Sequence, residues 1–448
     1  MKIKVGLYLE NRNIDDVDLT EPEKGNPGVG GTQFNFVTLP YYFKKNFPER
    51  VSFIWYANST KNLPENISAS EVKSPTEGAE KADKDGCDIY VWRPTTDEEG
   101  QEFIENIDSF DVKTVAWVHN TPNNEALNKL SRSEQLKRFV TVSQEQMDRL
   151  RDHRIINKTT CIFNGFDPSP YIPDHYLGGT RKTVVYIGSL VPAKGFHKLA
   201  RVWPQVRENV PEANMIVIGS GKLYDRSQSL GKWGVAEEHY ESEHIRPYLS
   251  DSGGEIDESV DFKGVLGNEK IPIIQRASVG AVNPSGATEN CPGSAIELQA
   301  AKTPVVSGAY RGLLDTVKHK ETGLLGRGDQ DLINNIVYLL ENEDVAQKYG
   351  ENGLEFVKQK FSYKKISKQW LSLFEDVVEG RPNEVELIKQ YPLNDLKIFR
   401  EGVRLTRKHI PGLQYLPNPN IPTRLQVENK VRSFWRKLSE VINDASFH

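Results

Sequence analysis

The sequence predicts an α/β protein built from two doubly wound, parallel-sheet domains that face a central crevice. Three observations carry this. Short apolar runs alternate with longer segments of helical period, and they do so in two successive blocks. A turn-rich stretch separates the blocks, opening with Asn164-Gly165-Phe166-Asp167-Pro168 and running on to Gly179. The length, 448 residues, also exceeds what one ordinary domain holds.

In the first block the expected strands are Ile3–Leu9, Val51–Tyr56, Asp88–Val91, Thr114–Trp117 and Phe139–Val142, with Cys161–Phe163 as a sixth candidate. Gln33–Lys45 and Gln144–Arg151 have helical period between them. In the second block the strands are Thr183–Ile187, Met215–Ile218, Val260–Phe262, Val279–Val282 and Thr303–Val306, and the helices include Lys198–Glu208 and Ser294–Ala301. The resulting division is 1–170 and 171–364 for two Rossmann-like domains, with 365–448 as a further helix and a basic extension.

That extension changes character. From Lys397 to Lys437 there are ten Lys/Arg against two Glu. Val431, Phe434, Trp435 and Leu438 fall on one helix face. Two readings stay open: contact with an anionic membrane surface, or a terminal helix docked on the first domain with its basic side solvated. Pro411 to Pro422 interrupts any long amphipathic face.

Composition narrows the function classes. Hydrophobic residues make up 37% and charged residues 27%, as in a globular protein with a sizeable core. The net charge of −5 argues against nucleic acid as partner. Cys87, Cys161 and Cys291 show no metal-ligand spacing and no disulfide framework, which points to a reducing compartment. No run of about 18 apolar residues occurs, and MKIKVGLYLE enters a strand pattern directly. The expected setting is cytoplasmic, with peripheral contact at the inner face of a membrane as the extension's open reading.

Four places could carry chemistry. In Ala287–Val306, two glutamates flank a Pro-Gly-Ser turn that opens a helix near Pro292. The backbone N–H groups of Gly293, Ser294 and Ala295 would lie free at that helix start and attract a phosphate. Carboxylates so close to a phosphate suit neutral hydroxyls, so Glu289 and Glu297 fit a sugar on one side and a ribose on the other. Alone, the pair reads equally as a cap and a solvated side chain. Lys194, after the strand and turn Val184–Gly188, could neutralise a leaving diphosphate, or be a surface lysine. His119 follows a strand of the first block at its carboxyl end, where histidines are structural as well as catalytic. Gly28-Val29-Gly30-Gly31 opens the first long helix and lets a backbone approach a ligand, although Gln33 breaks the dinucleotide fingerprint.

Taken in order and spacing, these segments resemble the retaining glycosyltransferases of the GT-B fold, in the family usually numbered four. Glu289 and Glu297 match its Glu-x7-Glu motif. Val184–Gly195 is similar to its strand-Gly-Arg-Leu-x-x-x-Lys-Gly segment, Thr303–Val306 to its Gly-Thr-Pro-Val-Val strand, and Glu321–Leu325 to its Gly-x-Thr-Gly-Leu-Leu run. Cys161–Asp167 resembles the domain boundary and Phe361–Val378 the closing helix. The resemblance implies that Lys194 and the turn Gly293–Ala295 hold a donor diphosphate, that Glu297 binds ribose, and that Glu289 touches the donor sugar. It places His119 beside the reacting sugar, the Gly30-Gly31 loop over phosphate or acceptor, and Leu266 near the base.

The implied activity is retaining transfer of a hexose from a UDP- or GDP-linked sugar to a glycan or lipid-linked acceptor, in cell-surface polysaccharide or lipopolysaccharide synthesis. No cofactor and no metal would be needed. Ser189 stands where the family has an arginine, so one donor-binding cation is absent or supplied from elsewhere. The alternatives are a non-catalytic GT-B partner subunit and a sugar-nucleotide epimerase on the same fold.

Overall fold

The computed structural model describes residues 2–151, 153–177, 182–223, 228–286 and 288–387, with a few further positions between 402 and 413. The first sheet contains β1 (Ile3–Leu9), β2 (Val51–Ala57), β3 (Ser68–Glu71), β4 (Ile89–Trp92), β5 (Lys113–Val118), β6 (Leu136–Thr141) and β7 (Thr159–Cys161). Their order is β3-β2-β1-β4-β5-β6-β7, and every pairing is parallel. The second sheet contains β8 (Thr183–Ile187), β9 (Asn214–Ile218), β10 (Val260–Gly264), β11 (Val279–Val282), β12 (Val305–Gly308) and β13 (Gly323–Gly326), in order β10-β9-β8-β11-β12-β13.

Helices cover both faces of each sheet, so the central strands are apolar throughout rather than alternating; β4 and β11 are buried at every residue. Chain order reverses between β1 and β4 in the first sheet and between β8 and β11 in the second. At such switch points the loops leaving the carboxyl ends diverge and open a crevice. Glu10 and Arg93 follow the first pair of strands, and Gly188 and Asn283 the second. All four face the same space.

Two strands escape the sequence reading, and a third is displaced: β7 is Thr159–Cys161, with Ile162 and Phe163 beyond it. β3, Ser-Ala-Ser-Glu, has no apolar signal and stays mostly exposed at a sheet edge, held by pairing to β2. β13, Gly323–Gly326, overlaps Glu321–Leu325, which the family resemblance brought out as a motif but periodicity did not show as a strand. Thr303 and Pro304 precede β12 rather than open it; Thr303 Oγ1 instead donates to the Ile274 carbonyl at 2.6 Å.

The helix Tyr363–Val378 leaves the second domain and lies along the helix Gly31–Asn46 of the first. Tyr42 and Tyr363 stack with centroids 3.9 Å apart, and Trp370 meets Trp117 edge-on at 5.1 Å. Lys113 Nζ satisfies two carbonyls at the end of this helix, those of Val377 and Val378, at 3.1 and 2.8 Å. Beyond it the chain stays on the first domain, where Asn383 bonds Thr160 and the Thr159 carbonyl. The basic stretch 397–437 falls almost wholly outside the described residues. Among the described residues no helix is long and apolar enough to cross a membrane.

Candidate functional site

The crevice between the two sheets has a volume of about 690 Å³ and takes lining residues from both domains. Its walls are made by turns that need unusual backbone. At the end of Pro192-Ala193-Lys194, Gly195 takes φ +68°, and a β-carbon there would stand 2.8 Å from the Ser285 nitrogen. The turn therefore requires glycine, and it presents Lys194 to the crevice.

Lys194 Nζ donates to Glu289 Oε1 at 2.7 Å, and Asn283 Nδ2 donates to the same oxygen at 2.9 Å. Asn283 is buried and takes φ +27°, strain tolerated at functional turns. Glu289 is thus oriented from two sides. The helix Gly293–Ala300 follows, with Pro292 as its N-cap and no side-chain cap on its first N–H groups. Gly293 has open space where a side chain would be. Uncapped N–H groups beside a lysine form an anion-binding corner. Gly293 and Ser294 line the crevice; Ala295 turns into the core.

Glu297 lies farther along the same helix, with its side chain only 9% exposed. Its Oε1 accepts Lys270 Nζ at 3.0 Å and the Tyr171 hydroxyl at 3.3 Å. Burial, with the Glu297 carboxylate acting in the same direction, pushes the Tyr171 hydroxyl far above its ordinary value. Sequence reasoning missed Lys270 and Tyr171. Neither sits in a pattern; they meet Glu297 only because the stretch after β10 and the interdomain segment converge there.

His119 directly follows β5 and is buried. Its Nε2 bonds Asn164 Oδ1 at 3.1 Å, so the carbonyl-type acceptor holds the proton on Nε2. Burial pushes the imidazole pKa down to about 3, with Arg93 acting in the same direction. His119 is therefore a neutral ring. The domains are also tied here. Asn290 Nδ2 donates to the His119 carbonyl at 2.6 Å, Arg149 Nη2 donates to Asn290 Oδ1 at 2.7 Å, and the Glu145 N–H donates to Asp315 Oδ2 at 2.8 Å. Asn290 immediately follows Glu289, so this bridge joins the two candidate reaction-centre residues across the domain gap.

The glycine loop is shaped by Asn26, whose Oδ1 accepts the N–H groups of Gly28 and Val29 at 2.9 and 2.8 Å. Gly30 and Gly31 then start a helix whose N-terminus also faces the crevice. Gly28 packs on Val265, and Leu266 lines the crevice from the second domain. Ser189 is buried; its hydroxyl is 3.2 Å from the Ser220 carbonyl and donates to it. The structure therefore gathers His119, Lys194, Glu289, Gly30, Gly31, Ser189, Leu266, Gly293, Ser294 and Glu297 around one cavity.

Residues 171–356 match the family described as Glycosyl transferases group 1. The chain is 29% identical over 210 residues to a GDP-mannose-dependent alpha-(1-6)-phosphatidylinositol monomannoside mannosyltransferase of Mycobacterium tuberculosis, covering 43% of this chain and 49% of that protein. It is 26% identical over 199 residues to a trehalose synthase of Thermococcus litoralis, covering 43% and 44%. The chain thus spans about half the length of these curated relatives. Among solved structures, a sucrose-phosphate synthase of Thermosynechococcus elongatus superposes with a TM-score of 0.65 at 18% identity, over 85% of this chain and all (100%) of that one. HepE of Anabaena, solved with UDP-glucose, superposes with a TM-score of 0.58 at 16% identity, over 84% and 100%. These likenesses show the two-domain GT-B fold.

Proposed function

We propose that this chain, a GT-B protein whose residues 171–356 form a glycosyl transferases group 1 domain, is a retaining hexosyltransferase. It moves a hexose from a UDP- or GDP-linked sugar to a glycan or lipid-linked acceptor in cell-surface polysaccharide or lipopolysaccharide synthesis. The observation that carries this reading is the order of groups along one wall: Glu289 with Lys194, the uncapped helix start at Gly293, then Glu297. A sugar, a diphosphate and a ribose need those groups in that sequence.

Lys194 and the N–H groups of Gly293 and Ser294 receive the diphosphate, where negative charge grows as the sugar departs. As Lys194 turns to the phosphate, Glu289 keeps its Asn283 bond and accepts from sugar hydroxyls. Glu297, fixed by Lys270 and Tyr171, accepts from the ribose. His119, neutral, lines the cavity and neither repels a forming cationic sugar nor takes the acceptor proton. Attack from the leaving-group face, with the departing phosphate taking that proton, accounts for retention. The glutamates are then clamps on the donor, not an acid and nucleophile pair. Helix N-terminus and lysine supply the neutralisation, so the reaction proceeds without metal.

The test is to incubate the chain with UDP-, GDP- and ADP-sugars in EDTA and follow donor hydrolysis and melting temperature. One donor should be turned over and raise the melting point. Silence across the panel in both readouts would overturn the proposal.

A further inference from the structure

A second cavity, of about 360 Å³, opens from the crevice into the first domain. Glu10, Thr32, Gln33 and Arg93 line both spaces, so they are continuous. We infer that this side pocket holds the acceptor, and that it takes a neutral or amino-bearing, hydroxyl-rich sugar while turning away one that carries a phosphate or carboxylate there. The inference rests on the proposed transferase function and narrows its acceptor.

Two features favour a sugar. Tyr8 and Phe36 present buried aromatic rings at the pocket wall, and carboxylates and an amide stand around them as hydroxyl acceptors. Phe36 also stacks on Trp117 and lies 5.9 Å, ring to ring, from His119. A ligand against Phe36 is therefore next to the residue that marks the reaction centre.

The charge selects the class. Arg12 Nη2 is held by both oxygens of Glu99 at 2.8 Å, which uses that cation internally. What remains is Glu10, Asp97 and Glu98 against Arg93. Asp97 is committed to capping the helix Glu98–Asn106 through the Gly100 N–H, at 2.8 Å. An anionic acceptor entering the pocket meets a surplus of carboxylates along its wall and rim, and like-charge contact works against it.

The test measures binding and transfer by the full chain with methyl hexosides, hexosamines, hexose 6-phosphates and uronic acids. Octyl glycosides form a further arm, which separates a lipid-borne sugar from a free one. Neutral and amino sugars should bind, by saturation-transfer NMR, at least ~10-fold more tightly than matched phosphates. Glu98→Lys should narrow that ratio severalfold, and Glu98→Gln should narrow it less. Equal or tighter binding of hexose phosphates, or a ratio unmoved by Glu98→Lys in a folded variant, overturns the assignment. Donor hydrolysis is followed in parallel. Glycoside binding without hydrolysis of any donor supports the pocket and counts against the transferase reading; hydrolysis with preference for phosphates does the reverse.

Discussion

Replacing Lys270 with methionine tests whether Glu297 is a built binding group or a carboxylate that happens to be buried. Lys270 and Glu297 are 3.0 Å apart with side chains 7% and 9% exposed. Their attraction is little screened, and neither can reach water without breaking the wall of the crevice. Methionine keeps the volume but strands the carboxylate with only the Tyr171 hydroxyl, at 3.3 Å. Removing one partner of a buried pair costs about 3–5 kcal/mol. For a domain of this size that is a fall of roughly 6 to 20 °C in melting temperature. By contrast, Lys129 pairs with Glu125 and Glu105 at the exposed surface, and Lys129→Met should leave the melting temperature almost unmoved.

Thermal melts followed by circular dichroism read both. The double variant Lys270→Met/Glu297→Gln removes the stranded charge and should recover most of the loss. On the proposed function, Glu297→Gln offers the ribose an amide instead of a carboxylate, so the response to nucleotide should stay weak even though stability returns. A Lys270→Met variant that melts within ~2 °C of the parent would refute the reasoning, since the pair would then be no more than a surface contact.

The other changes are read more simply. Glu289→Gln and Lys194→Ala should each lower turnover by about 10² or more while the fold is retained, as found when a charge-stabilising group is lost; steady-state kinetics with the hydrolysed donor checks this. His119 has a folded pKa of about 3 against about 6.5 unfolded, so the unfolded chain binds the extra proton between those values and stability falls as pH drops through that window. By pH 5 the loss is about 2 kcal/mol. Denaturant titrations from pH 8 to 5 should show it, and His119→Asn should flatten that part of the curve. Asn290→Ala removes the bond to the His119 carbonyl and the acceptor of Arg149, and should raise donor KM severalfold more than Arg149→Lys. Equal KM in all three proteins would show that the bridge does not hold the domains together.

Much of the architecture was legible because a doubly wound sheet writes itself as buried apolar strands between helical segments. β1, β8 and β11 were read at their observed bounds. β3 was not legible, since Ser-Ala-Ser-Glu is a strand only by virtue of its neighbour. The same divide runs through the crevice. Glu289, Glu297 and Lys194 lie on contiguous local patterns, a helix start and a glycine turn, and these were readable. Asn283, Lys270, Tyr171 and Arg93 reach the same cavity from four separate segments, and no local pattern announces a meeting decided by topology. Ser189 was legible as a departure, but only the structure shows that its hydroxyl serves the Ser220 carbonyl.

That departure leads to a consequence for how a diphosphate would be held. With Ser189 committed to a backbone carbonyl, the second domain offers Lys194 and one helix N-terminus. The first domain faces them with the N-terminus at Gly31 and with Arg93, which forms no ion pair among the described residues and lines the crevice. On the proposed function, part of the positive potential met by the donor then comes from the opposite domain, so donor affinity depends on closure. Arg93→Gln should weaken nucleoside diphosphate more than nucleoside monophosphate, because the outer phosphate is the one that reaches across. Calorimetric titration of UDP, UMP, GDP and GMP against both proteins gives the ratio directly. A diphosphate-to-monophosphate affinity ratio unchanged in Arg93→Gln would show that Lys194 and the Gly293 helix start suffice, and that Ser189 needs no compensation.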